Sequence, residues 1–362
     1  MKTTRGSIAI VLGTRPEIIK CAPIIDECRR RALPFFVVHT GQHYTAELDA
    51  VFFRDLHLDL PKYNLGIGSL PAGKMIGAMI SGLSDVFARE NPRVVLVEGD
   101  TNSVLAGAVA GHASGSLVGH VEAGLRSFDR AMPEEINRIM TDSVSDMLFA
   151  PTKEARVNLI HEGIHRKKII VVGNSIADVV RRAKGIVDTH SPILVQYGLV
   201  RRRYAVLTLH RPSNVDDPLR LMSLMRAVGH VSSPEMKRII FPMHPRTHAC
   251  LKRSGISVPP AVTCIDPLGY LDFLALASNA RIIYTDSGGI QEEACVLRVP
   301  CVTLRDSTER PETIAVGANI LARPATVSRA TRHMLARRRV WKNPFGDGHT
   351  AERILDVVST YL

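Results

Sequence analysis

The sequence predicts an α/β protein built from two domains, each a parallel sheet covered by helices on both faces. Three observations predict it. Short apolar runs alternate with helical stretches along the whole chain, the pattern of strands buried on both sides. The alternation starts afresh after a polar, basic passage around 188–203. Polar residues collect where the apolar runs stop, which is where open parallel sheets bind ligands. The length, 362 residues, suits two cores better than one.

In chain order, Ser7 to Leu12 reads as a strand and Arg15 to about Arg31 as a helix. Phe35 to His39 and Val94 to Glu98 are strands, and the small, apolar stretch Ser103 to Gly111 is a helix. Leu117 to Glu122 is a strand, Pro133 to Val144 a helix and Met147 to Ala150 a short strand. After Ile169 to Gly173 the pattern restarts, with strands at Tyr204 to Leu209, Arg238 to Met243, Val262 to Ile265, Ile282 to Tyr284 and Val299 to Leu304. The expected domains are therefore 1–173 and 174–345. An amphipathic C-terminal helix within 346–362 is expected to pack back on the first.

The chain has no run of eighteen apolar residues, so no spanning helix is expected. Its first six residues lead straight into a strand, without the long apolar region of a signal peptide. None of the six cysteines forms a Cys-x-x-Cys pair, and most lie in apolar segments. A cytoplasmic protein with reduced thiols is expected. The net charge is +11. Its basic clusters, Arg29–Arg31, Arg166–Lys168, Arg201–Arg203 and Arg337–Arg339, are scattered and lack interleaved aromatics, so no nucleic-acid partner is expected, and without a spanning run no membrane partner is expected either.

The chain is organised around 284–294. Here an apolar strand meets a helix at Ser287-Gly288-Gly289. Such a turn aims backbone N–H groups and the positive end of a helix dipole at one spot, which suits a diphosphate. Two glycines let an anion approach the backbone. Glu293, further along the helix, suits ribose hydroxyls. An ordinary Gly-rich turn is the competing reading.

Other polar tips follow the remaining strands: Gly13-Thr14-Arg15, Gly41-Gln42-His43, Gly99-Asp100-Thr101, His120-Val121-Glu122, His210-Arg211 and His244-Pro245-Arg246. Asp100 reads either as a chemical group or as a helix cap. Glu134 reads either as a chemical group or as a favourable first-turn acid. His43, His120 and His244 read equally as scaffold or as ligand-binding residues. His210 is the strongest histidine candidate, because Arg211 beside it suits an anionic substrate. No Gly-x-Gly-x-x-Gly fingerprint follows a strand, and neither a P-loop nor a metal-ligand spacing is present. Carboxylates, histidines and arginines around a diphosphate suit acid–base chemistry at carbon with a diphosphate leaving group.

These motifs resemble a known family. Gly13-Thr14-Arg15-Pro16-Glu17 with Lys20, Gly99-Asp100-Thr101, the run 120–126, Pro133 to Arg138, Thr208-Leu209-His210-Arg211, Thr285 to Glu293 and Thr308-Glu309-Arg310-Pro311-Glu312 are similar, in order, to the non-hydrolysing UDP-N-acetylglucosamine 2-epimerases. The resemblance implies a GT-B fold of two Rossmann-like domains with the site in the cleft between them. It implies interconversion of UDP-GlcNAc and UDP-ManNAc by elimination of UDP to 2-acetamidoglucal and re-addition, with no NAD and no metal. It also implies a homodimer.

Carried over by the resemblance, Asp100, Glu122, Glu134 and His210 hold the catalytic positions. Arg15 and Lys20 lie near the nucleotide's phosphates, Ser287, Gly288 and Gly289 form the diphosphate turn, and Glu293 meets the ribose. Arg310 is a further UDP-site residue, and Phe273 packs on the uracil. A second, activating UDP-GlcNAc site would involve Gln42 and His43, with Arg211 and His244. There the run Tyr44-Thr45-Ala46 departs from the Arg-Glu-Met of many bacterial members. The alternatives are a hydrolysing relative that releases ManNAc and UDP, a 2-epimerase of a modified UDP-HexNAc, and a nucleotide-sugar sensor without turnover.

Overall fold

A computed structural model of the chain describes residues 6–41, 52–187, 192–231 and 236–362. It holds two compact units. The first ends at Val179 and is completed by Phe345–Leu362; the second spans Val180–Pro344.

The first sheet contains β1 (Ile8–Leu12), β2 (Phe35–His39), β3 (Tyr63–Asn64), β4 (Val94–Glu98), β5 (Leu117–Val121), β6 (Met147–Ala150) and β7 (Ile169–Val171). They run parallel in the order β3-β2-β1-β4-β5-β6-β7. Every residue of β1 and β4 is buried, as the apolar runs require. The edge strands β3 and β7 are additions to the elements read from sequence. Ile169 to Gly173 thus closes the first sheet. β3 has two residues, too short for an apolar pattern.

Helices cover the sheet because their sequences let them approach it. Residues Asn102–Ala113 carry Gly107, where a Cβ would stand 2.8 Å from Val97 Cγ1. Thr101 caps this helix by accepting from the Val104 amide at 3.4 Å. The helix Pro133–Val144 starts with Pro133 and has Glu134 and Glu135 in its first turn, a favourable start for both backbone and dipole. The C-terminal helix Thr350–Val358 is capped by Asp178, which accepts from the Thr350 and Ala351 amides at 3.1 and 3.0 Å. It lies against the helix Arg15–Arg30, beyond which Arg31 meets Asp356 at 2.8 Å.

The second sheet contains β8 (Tyr204–Thr208), β9 (Arg238–Pro242), β10 (Val262–Ile265), β11 (Ile282–Thr285), β12 (Cys301–Thr303) and β13 (Asn319–Leu321). Its parallel order is β10-β9-β8-β11-β12-β13. In both sheets the strand order reverses beside one central strand, β1 in the first and β8 in the second. The crevice outside the carboxyl ends at such a switch point is where ligands enter doubly wound sheets. The six cysteines are free thiols. No helix among the described residues is long and apolar enough to cross a membrane.

Candidate active site

At the first switch point, β1 gives way to Gly13-Thr14. A Cβ on Gly13 would stand 2.1 Å from Thr40 Oγ1 and 2.2 Å from Ser103 Oγ, so only glycine fits. Glu17 closes the turn from within the helix. Its Oε2 accepts from the Gly13 amide at 2.5 Å and its Oε1 from the Thr14 hydroxyl at 3.0 Å. Burial pushes the Glu17 carboxyl up to about 7, and the hydrogen bonds from Thr101, Gly13 and Thr14 oppose the rise. Arg15 lays its guanidinium 5.4 Å from the centre of the Phe52 ring.

Lys20 faces inward from the same helix. The resemblance sets it beside the nucleotide's phosphates. Its ammonium is buried, paired with Glu122 Oε2 and 3.5 Å from Glu98 Oε1. Glu122 follows β5 with φ +71, a left-handed backbone that costs a β-carbon residue about 1–2 kcal/mol. Its Oε2 also accepts from Asn174 Nδ2 at 3.1 Å. One ammonium therefore serves two buried carboxyl groups. Burial pushes the Glu98 carboxyl well up, Lys20 pulls it back, and Glu122 and Glu17 push it further.

Asp100 stands just beyond β4 and is not the cap of the helix that follows; Thr101 is. Asp100 Oδ2 accepts from Arg138 Nε at 3.0 Å and NH2 at 2.7 Å, so both bonds fall on one oxygen. Arg138 is fully buried, and its NH1 meets Glu135 Oε2 at 2.6 Å. Glu135 also receives the Ser127 and Phe128 amides at 2.8 and 3.0 Å, which fixes the loop before the helix. Its neighbour Glu134 faces solvent. His120 is wholly buried and resolves as scaffold. Its Nδ1 lies 2.6 Å from Asp142, and its Nε2 lies 2.8 Å from the Gly99 carbonyl, immediately before Asp100. Burial pushes the Asp142 carboxyl up, but His120 and Arg126 outweigh it and hold the group below its usual range.

At the second switch point, β8 leads to His210 and β11 to Asp286. The strands are locked in register by Thr208 and Thr285, whose hydroxyls lie 2.6 Å apart. Asp286 has no exposed surface. It lies 3.0 Å from His210 Nδ1 and accepts from the His210 and Arg211 amides and from Asn214 Nδ2. Burial pushes its carboxyl up, and those contacts outweigh burial and bring it below the usual range. The His210 side chain remains 41% exposed.

Ser287 then begins the helix Gly288–Val296 without a side-chain cap. The two glycines differ. A Cβ at Gly288 would stand 2.4 Å from Glu309 Oε1, while one at Gly289 would meet nothing within 4 Å. Gly289 is thus the open side of the turn. Glu309 is ringed by arginines, with Arg211 NH2 at 3.1 Å and Arg305 NH1 at 2.8 Å. Burial pushes its carboxyl up, and Arg310, Arg305 and Arg211 bring it down to about 2. Arg310 is itself buried against Glu292. Glu293 is buried and acts on Tyr270, whose hydroxyl is pushed up by burial first and by Glu293 second. Phe273 is half-buried on the helix Tyr270–Ser278.

His244 caps the helix Pro245–Ser254 through Nδ1, 3.2 Å from the Arg246 amide, and its ring centre is 6.0 Å from that of His210. Gln42 and His43 lie outside the described residues. Among the described residues, no group of three or more His, Cys, Asp or Glu is placed to hold a metal ion. Arg138, Asp286 and Glu309 lie within the motifs that carry the resemblance, but the sequence alone assigns neither them nor Asn174 a site role. Asp286 and Glu309 each directly precede a residue singled out there, the one signal that could have found them.

Two doubly wound parallel-sheet units, each with its polar side chains beyond the strand carboxyl ends, define a protein of the GT-B fold class. A family model described as UDP-N-acetylglucosamine 2-epimerase matches residues 26–359. The UDP-N-acetylglucosamine 2-epimerase of Methanococcus maripaludis is 47% identical over 359 residues, which cover 97% of this chain and 98% of that one. The crystal structure of Methanocaldococcus jannaschii UDP-GlcNAc 2-epimerase in complex with UDP-GlcNAc and UDP aligns with TM-score 0.91 at 47% identity, covering 98% of this chain and 99% of that chain. The UDP-2,3-diacetamido-2,3-dideoxy-D-glucuronate 2-epimerase of Pseudomonas aeruginosa is 42% identical over 322 residues, 87% of each chain. The chain belongs to the UDP-N-acetylglucosamine 2-epimerase family.

Proposed function

We propose that this protein is a non-hydrolysing UDP-GlcNAc 2-epimerase, interconverting UDP-GlcNAc and UDP-ManNAc. The observation that carries the reading is a division of chemistry between the sheets. Acid–base carboxyl groups stand at the strand ends of the first, and a histidine, arginines and an open helix N-terminus stand at those of the second. The full-length kinship with named epimerases supports it.

In this reading Ser287, Gly288 and Gly289 receive the diphosphate, Arg310 and Arg15 add positive charge near it, Glu293 meets the ribose and Phe273 the uracil. Asp100, held by Arg138 through Oδ2, uses Oδ1 to remove the C2 proton. The C1–O bond breaks as the C1–C2 double bond forms, and UDP carries away the electron pair. His210 stabilises the departing charge. Return of a proton to the other face of C2, from Glu122 or Glu134, and re-addition of UDP at C1 restore every atom. Elimination and re-addition move protons and an electron pair but no hydride, so no step calls on NAD.

The 42% identity to an epimerase of a 2,3-diacetamido sugar favours a second reading, a modified UDP-HexNAc as substrate. Incubation with UDP-GlcNAc in D2O, without NAD or metal, tests both by proton NMR. UDP-ManNAc carrying deuterium at C2 is the expected product. Free ManNAc plus UDP would replace the non-hydrolysing reading by the hydrolysing one. Inert UDP-GlcNAc with turnover of the 2,3-diacetamido substrate would establish the second reading. Tight binding of UDP-GlcNAc without any turnover would make the protein a sensor.

A further inference from the structure

Two basic clusters far apart in sequence meet in the structure. Arg201–Arg203 directly precede the amino end of β8, and Arg281 directly precedes that of β11. Arg339 joins them, with its NH2 donating to the Arg281 carbonyl at 2.6 Å. Arg202 reaches the same place through its amide, which donates to the Asn279 carbonyl at 2.7 Å. Burial pulls the Arg339 guanidinium down to about 10, and the next causes are all like charges, Arg202, Arg281 and Arg201. This pole lies at the end of the second sheet opposite His210 and Asp286, about 17 Å away by the usual rise of a five-residue strand.

Its composition is one-sided. The segments 197–204, 279–281, 297–300 and 336–343 contain no Asp or Glu. Several surface arginines elsewhere are matched by carboxylates: Arg29 with Asp59, Arg246 with Asp216, Arg323 with Asp306, Arg353 with Asp347. Gathering like charges in one place costs stability. Apolar groups are exposed within the same segments. Val200 is 62% exposed and Val340 73%, each adjacent in sequence to an arginine of the cluster. The one tryptophan nearby, Trp341, is buried with its indole donating to the Cys295 carbonyl at 2.9 Å, so no aromatic is offered to a nucleic-acid base.

We propose that this arginine-and-valine pole docks the protein peripherally on an anionic lipid surface. Guanidinium groups pair with headgroup phosphates in a planar, bidentate manner, and the valines enter the headgroup boundary. The mode is surface adsorption and requires no spanning helix. It also gives the charge excess of the chain a use away from the nucleotide-sugar site, and it stands or falls independently of the activity proposed for that site.

Co-sedimentation of the full chain with vesicles tests it. Binding to vesicles of equal phosphatidylglycerol and phosphatidylcholine is expected at low salt and should fall steeply as salt rises, while pure phosphatidylcholine should not bind. Replacing four exposed arginines together (Arg201→Gln, Arg203→Gln, Arg337→Gln, Arg338→Gln) should weaken binding at least about a hundredfold, since each surface cation contributes roughly fivefold. Val340→Asn should weaken it further without altering the charge. Both variants should retain the epimerase turnover of the parent, which shows that they are folded. Absence of vesicle binding, or undiminished binding by the four-arginine variant, would overturn the proposal. So would tighter binding to a duplex oligonucleotide that Val340→Asn leaves unchanged.

Discussion

Asp286 holds His210 by both side chain and backbone. The carboxylate lies 3.0 Å from Nδ1 and accepts the His210 amide at 3.1 Å, with no exposed surface of its own. It comes from the tip of β11, one residue before the turn assigned to the diphosphate, whereas His210 comes from the tip of β8. A carboxylate on Nδ1 fixes the tautomer that keeps the proton there and directs Nε2 outward.

Asp286→Asn is therefore expected to lower kcat by about ten- to a hundredfold, the scale of lost outer-sphere partners, with little change in KM for UDP-GlcNAc. Nitrogen-15 NMR of the His210 ring should show loss of the single Nδ1–H tautomer. An unchanged tautomer, or a loss confined to KM, would reduce Asp286 to a packing residue.

Why His210 was legible in the sequence and Asp286 was not follows from how each is presented. His210 ends an apolar strand beside an arginine, so local pattern exposes it. The function of Asp286 depends on β11 pairing with β8, a contact 76 residues distant in sequence. Arg138 and Glu135 are the same case on the first unit. Glu134 and Glu135 look alike on a helical start, and only packing makes the second a buried anchor and the first a solvent-facing group. His120, left open between scaffold and ligand, is decided by two acceptors that no local pattern reveals, Asp142 and the Gly99 carbonyl. The central strands were legible because full burial makes them continuous apolar runs. The edge strands β3, β7 and β13 were not, because they have only two or three residues, whereas the four-residue edge strand β10 was.

Glu122 combines a left-handed backbone with the Lys20 and Asn174 contacts. Asparagine tolerates that backbone better than glutamate does. Yet Glu122→Asn also strips the buried Lys20 ammonium of a carboxylate, a loss of about 3–5 kcal/mol that outweighs the relieved backbone, so the melting temperature should fall. Turnover of the folded variant at 25 °C should drop at least about a hundredfold, the usual general acid–base contribution. Thermal melts and initial rates on one preparation check both halves. A destabilised variant whose folded fraction turns over within about tenfold of the parent would assign Glu122 a purely structural role.

The arginine ring around Glu309 makes a pH prediction. Its folded value of about 2 lies below the ordinary 4.5, so the folded state binds fewer protons than the unfolded chain at intermediate pH. The stabilisation is complete above about pH 4.5 and is lost as pH falls toward 2, and its scale is about 3 kcal/mol. Glu309→Gln should flatten denaturant-measured stability over that acid window and lower stability at pH 7. UDP should restore more stability to the variant than to the parent, because the diphosphate replaces the missing negative charge among Arg211, Arg305 and Arg310. Identical acid profiles would remove Glu309 from the charge balance of the site.

The two glycines of the turn separate folding from binding. At Gly288 a Cβ would collide with Glu309 Oε1 at 2.4 Å, so Gly288→Ala must displace a carboxylate held by arginines and should lower the melting temperature. At Gly289 the space is open, and alanine is the better helix former by about 1 kcal/mol. Gly289→Ala should therefore melt at or above the parent's temperature. Yet its methyl group would stand on the open side of the helix N-terminus, where the backbone amides are proposed to receive the diphosphate. Calorimetric titration with UDP should show binding weakened about tenfold or more in Gly289→Ala. A stable Gly289→Ala variant that binds UDP as tightly as the parent would place the diphosphate elsewhere, and the roles given to Ser287 and Gly288 would go with it.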